Sequence, residues 1–169
     1  MISRAWTTSA GDSMTGPVVV QVKNTAGTSN SYNASKADVS PAFFLFSSKY
    51  PAAVHTNGVF VGPTGLIPGA AVAPAQPGET ILLFGTGFGP TNPVLPAGLI
   101  VMAAQPLANT ATVTLASETA SVQFAGLSGS GLDQINIVVP SDLPDGDAPL
   151  VATVNGVSTS ANLFITVHH

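Results

Sequence analysis

The sequence predicts an all-β fold, an immunoglobulin-like antiparallel β-sandwich. Three observations carry that reading. Lys, Glu, Arg and Gln are scarce, and no window of about 11–18 residues keeps the 3.6 period of an amphipathic helix. The 17 Gly and 14 Pro interrupt the chain every few residues. Between them recur short runs rich in Val, Ile, Thr and Phe, which is the pattern of strands and tight turns.

Taken in order, Pro17–Lys23 reads as a strand, Asn24–Gly27 as a turn, and Ser31–Val39 as the return strand. Ala52–His55 and Val59–Val61 flank Thr56-Asn57-Gly58, and Asn-Gly between apolar runs is a strong hairpin signal. Glu79–Gly85 reads as a buried strand. Thr110–Leu115 and Ala120–Ala125 form a hairpin around Ser117-Glu118. Gln134–Val139 alternates and stops at Pro140, and Leu150–Val154 and Ser160–Val167 form a last hairpin across Asn155-Gly156.

A repeat organises these elements. Gly16–Ser35 parallels Ala148–Asn162: Pro, a short strand, an Asn/Gly turn, then a return rich in Ser, Thr and Asn. The expected division therefore has residues 1–40 as a tail and closing hairpin of a preceding module. Residues 41–77 form a junction, and 78–167 a complete module of the size of an immunoglobulin-like sandwich. On this reading the chain begins inside a module: either its first hairpin completes a sandwich, or an exposed strand edge favours a homodimer. Phe43-Phe44-Leu45-Phe46 cannot stand exposed in a free linker and is expected to seal the junction. His168-His169 reads as a tag remnant.

Composition excludes several function classes. The 169 residues suffice for a core without staples, and the absence of cysteine removes disulfide and thiolate chemistry. Charged residues make up 7% of the chain, 4 basic and 8 acidic, and mean hydropathy is +0.41. Four unclustered basic residues cannot neutralise a useful number of phosphates, so nucleic acid is not an expected partner. No apolar run reaches the roughly 18–20 residues of a membrane span. Met1–Trp6 lacks the apolar core of a signal peptide, so an exported parent would carry its signal upstream or lack one.

Four separated motifs resemble the Solibacter-type C-terminal domain family of secreted bacterial proteins. They are Pro77–Pro93, with its Gly85-Thr-Gly-Phe-Gly89 core; Phe124–Leu127; Asp133–Pro140; and Ser158-Thr-Ser160. Ala53–Gly58 is similar to the segment that precedes that domain. The strand followed by Gly-Thr-Gly-Phe-Gly is also similar to IPT/TIG modules. The resemblance implies a β-sandwich and a secreted or cell-surface location. It implies no particular reaction.

Three features stand as candidates for chemistry. Gly85–Gly89 follows a strand, but Pro90-Thr-Asn-Pro93 leaves no helix to hold a phosphate, so a glycine bend at a sandwich corner is expected. Asp142, Asp145 and Asp147 form the acidic cluster; the readings are a solvated Pro-Asp-Gly turn or a loop of hard oxygen ligands for Ca²⁺. No other cofactor is implied. His55 is the one histidine outside the tail. It is either structural or the base of a small hydrolase, oriented by Glu79, Asp133 or Asp38. Trp6, Tyr32 and Tyr50 are the aromatics available to stack on sugar rings. The leading expectation is a non-catalytic module of an exported protein, acting in adhesion, spacing or ligand binding, with a cell-surface protein or polysaccharide as partner. The alternative is a metal-dependent hydrolase of esters or lactones, in which the acidic loop holds the metal and His55 assists water.

Overall fold

The computed structural model describes residues 17–35, 37–96 and 99–169. These contain strands and no helix. They fall into two compact units: one takes in the residues up to Asp38 with Pro96–Leu99, and the other comprises Val39–Leu95 and Ile100–His169.

The smaller unit is a long hairpin. β1 (Pro17–Val20) pairs antiparallel with β4 (Tyr32–Ser35), and β2 (Lys23–Asn24) pairs with β3 (Gly27–Thr28) at its tip. The return strand is shorter than the expected 31–39 and ends at Ser35. The Asn24 side chain accepts the Ala26 N–H and closes the turn.

The larger unit is a sandwich whose strand pairs are antiparallel apart from β7–β8. Its strands are β5 (Ala42–Phe43), β6 (Ala53–His55), β7 (Phe60–Val61), β8 (Val72–Ala73), β9 (Thr80–Thr86) and β10 (Gln105–Pro106). They continue with β11 (Ala111–Leu115), β12 (Glu118–Gly129), β13 (Leu132–Val138), β14 (Gly146–Val154), β15 (Val157–Ser158) and β16 (Leu163–Val167). One layer runs β10–β12–β13–β9–β6–β7–β8, with β5 also on β9. The other runs from the start of β12 through β11 and β14 to β15 and β16. β12 serves both layers: Glu118–Ala120 pair with β11, and from Ser121 the strand pairs with β13.

Alternation along the strands puts one face of each layer inward. Ile81 and Leu83 of β9 and Ile135 and Ile137 of β13 point into the core, as do Val113, Leu115, Leu150, Ala152 and Ile165 from the second layer. Each large side chain so buried contributes about 1.5–3 kcal/mol. The hairpin expected around Ser117-Glu118 turns one residue earlier, with Ala116 at φ 49° and Ser117 at φ 75°. The last expected strand, Ser160–Val167, begins only at Leu163 as β16, after Asn162 at φ 68°, and the short β15 lies ahead of it.

Residues 41–77, expected as a junction, lie inside the sandwich. β6 extends the β9 layer through Ala53–Leu83, Val54–Leu82 and His55–Ile81 pairs. Ala75 bridges Val167 in parallel, and Phe164 N–H donates to the Lys49 carbonyl. The segment thus covers the free edges of β9 and β16, as sheets require of their edges. Phe43 is buried against Phe88, their ring centroids 5.4 Å apart. Phe46 packs edge-on to Phe60, while Phe44 and Leu45 stay substantially exposed. Contacts therefore join this stretch to 78–167 and place the division after Asp38.

Candidate functional site

His55 sits at the end of β6, on the core side opposite Ile81, and is 9% exposed. Its Nε2 lies 3.2 Å from the Ala73 carbonyl oxygen of β8. A carbonyl only accepts, so Nε2 carries a proton and donates. Its Nδ1 lies 3.0 Å from Glu79 Oε2, and the other Glu79 oxygen accepts the Gln76 N–H. Of the three carboxylates that could orient His55, Glu79 is the one that does. The imidazole joins β6, β8 and the turn leading into β9. Two of the three members of a catalytic triad are present in this pair, but the nitrogen that would face a nucleophile faces a main-chain carbonyl instead.

The carboxylates of the 142–147 segment take separate partners. Asp142 accepts from the neighbouring Ser141 hydroxyl. Asp145 lies 2.7 Å from the Nδ1 atoms of both His168 and His169 and also accepts the His169 N–H. His169, then His168, hold its carboxyl down at about 2. Asp147 Oδ2 lies 2.8 Å from both Lys49 Nζ and Tyr50 Oη, and its Oδ1 accepts from Thr166. Burial pushes the Asp147 carboxyl up, but Lys49, Thr166 and Tyr50 together outweigh burial and leave it below the usual range. The Lys49 ammonium also lies over the Tyr50 and Phe164 rings, at 4.8 and 5.3 Å. Among the described residues, no three His, Asp or Glu side chains gather as a metal-binding group. Lys49 and Tyr50, almost 100 residues away from Asp147, carry no sequence pattern that points to it.

The glycine bend expected at 85–89 is present. Gly87 has φ 79°, and a β-carbon there would strike the Ser40 carbonyl; one at Gly85 would strike the Ala42 carbonyl. The glycines let the chain pass close to the segment entering β5. Phe88 is fully buried, and its N–H donates to Asp133 Oδ2 at 3.1 Å. Asp133 is 5% exposed, on the core face of β13 with Ile135 and Ile137. Burial pushes its carboxyl up, and the Phe88 N–H draws it only partly back. Sequence parity could have found it: Asp133, Ile135 and Ile137 share one face of an alternating strand.

An open groove of about 340 Å³ lies beside the β12 bulge, where Ser121–Phe124 have β13 on one side only. Leu107, Asn109, Val122, Gln123 and Phe124 are among its lining residues, and none of the lining residues is charged. Tyr32 stands exposed on the hairpin; Trp6 lies outside the described residues. No helix among the described residues is long and apolar enough to cross a membrane. No family model, curated protein or solved structure matches the chain.

Proposed function

We propose that the chain is a non-catalytic, immunoglobulin-like module of an exported protein, serving adhesion, spacing or ligand binding. The pairing order supports the immunoglobulin-like reading. β9–β13–β12 follows the order of strands B, E and D, and β11–β14–β16 that of C, F and G, with β5 and β6 in the place of strand A. The observation that carries the non-catalytic reading is the pair of bonds at His55. Both ring nitrogens are engaged inside the fold, so the imidazole acts as a cross-link between strands rather than as a base. Asp147 is engaged in the same way, fastening Lys49 and Tyr50 to β14 and β16.

The surface favours binding. The groove is uncharged, which suits a neutral partner such as a polysaccharide or an uncharged protein surface. Val94, Ile100 and Met102, in the connection from β9 to β10, are 75%, 74% and 88% exposed, and such apolar exposure marks contact surfaces. The experiment pairs a glycan and cell-surface binding panel with ester and lactone turnover, measured with and without chelator. The expected result is no turnover above buffer, and any binding weakened by Gln123→Ala or Phe124→Ala. Turnover that disappears in His55→Ala would overturn the reading.

A further inference from the structure

The buried side-chain oxygens without a protein partner, among the described residues, are Asp133 Oδ1 and Ser128 Oγ. Both lie near the turn that joins β12 to β13: Asp133 is paired with Leu127, and Ser128 occupies the bulge that follows. Asp133 also pairs with Gly85 on its other side, so it stands directly beside the start of the 86–89 bend. One of its oxygens holds that bend through the Phe88 N–H; the other is buried with no hydrogen-bond partner. Phe88, fully buried against Phe43, is the plug that closes this end of the core. A buried carboxyl is tolerated when neutral and strongly disfavoured when charged, unless a cation answers it.

Among the described residues, no ion pair joins a cation to Asp133. β5, β9 and the 86–89 bend carry no titratable side chain, and β13 carries none besides Asp133. The single titratable residue of β12, Glu118, is exposed at the far end of that strand. Glu79 precedes the opposite end of β9, where it faces His55. In the other layer, β11, β15 and β16 have none, and Asp147 of β14 is held by Lys49, Tyr50 and Thr166.

We propose that Asp133 is a proton-operated latch: neutral, it lets Phe88 seat in the core, and on losing its proton it favours release of the 86–89 bend toward water. Burial displaces the carboxyl upward from its ordinary 3.8, so the neutral form belongs to the closed state. The latch's contribution is therefore fully present below the open-state value and is lost as pH rises toward the closed-state one. Within that window the opening releases one proton, and its population grows by up to about tenfold per pH unit. Below and above the window it is flat. The latch is independent of whatever ligand the module takes.

Amide hydrogen exchange of the whole chain tests this, corrected for the intrinsic pH dependence of exchange, with residues 85–89 followed against Ile135 and Ile137. In the wild type, opening at 85–89 is expected to rise with that slope above pH 3.8 and then level off, with the β13 amides less affected. In Asp133→Asn the 85–89 profile is expected to be flat. A flat wild-type profile, or an Asn variant with the wild-type slope, would overturn the latch. Should Asp133→Asn not fold, the wild type decides: a rise in opening at 85–89 that levels off at the midpoint of the Asp133 carboxyl ¹³C titration supports the latch, and a rise unrelated to that midpoint, or none, refutes it.

Discussion

At the scale of single residues, the question is what a lone histidine near a carboxylate is for. Geometry answers through proton counting. Nε2 of His55 donates to Ala73, and Nδ1 meets Glu79, so the pair shares a proton between ring and carboxylate. Replacing Glu79 by Gln preserves every bond in altered form: the amide oxygen accepts from Gln76, and the amide N–H donates to a neutral imidazole. Glu79→Gln is therefore expected to cost under about 1 kcal/mol, whereas Glu79→Ala leaves the buried His55 ring without a partner at Nδ1 and costs about 1–3 kcal/mol. Urea denaturation of both variants checks the ranking, and equal losses would mean that the bonds at Glu79 contribute little. The sequence carried part of this site. It offered Glu79, Asp133 and Asp38 as partners of His55, but the choice among them depends on register, which pairs His55 with Ile81 and brings Glu79 within reach. The partners of Asp147 were illegible for a different reason. Lys49 and Tyr50 reach it through a long-range crossing of two edges, and no local pattern encodes such a contact.

At the scale of elements, turns were the most legible features and strand lengths the least. Asn-Gly marks both the β6–β7 turn, where Gly58 has φ 87°, and the β14–β15 turn, where Asn155 and Gly156 have φ 49° and 75°. Those dipeptides impose local geometry whatever surrounds them. The sequence pattern ends β12 at Ala125, but the strand runs to Gly129, because its length is set by β13 alongside rather than by its own composition. The Gly-Thr-Gly-Phe-Gly bend shows how far a glycine signal can be taken. Gly87 and Gly131 share a positive φ, 79° and 74°, yet only Gly87 has a carbonyl where a β-carbon would go. Gly131→Ala is expected to cost the backbone strain alone, about 1–2 kcal/mol. Gly87→Ala adds overpacking of about 1–3 kcal/mol more and displaces the Ser40–Pro41 segment. Thermal melts of the two variants should rank in that order; equal shifts would mean that the Ser40 approach does not constrain the bend.

At the scale of the whole molecule, the internal repeat and the contacts divide the chain at different places. The repeat puts the start of the complete module at residue 78, because the β14–β15 hairpin echoes the first one. The contacts put it at Val39, because 39–77 supplies what 78–167 lacks. Sequence similarity between hairpins says nothing about which strand lies on a sheet edge, and the edges decide here. Without β5 and β6, β9 would present an unpaired edge beside Phe88, and without Ala75 and Lys49, so would β16. His55, Phe43, Ala53, Val61 and Ala75 would leave the core with them. A chain of residues 39–169 is therefore expected to melt cooperatively near the temperature of the full chain, since it keeps the whole of the larger unit's core. A chain of residues 78–169 is expected to lose cooperativity or associate through its bare edges, because naked strand edges template pairing with other copies. Calorimetry with light scattering on both chains distinguishes the two divisions. A monomeric 78–169 with a sharp, undiminished transition would place the boundary where the repeat does and reduce 39–77 to a dispensable cover.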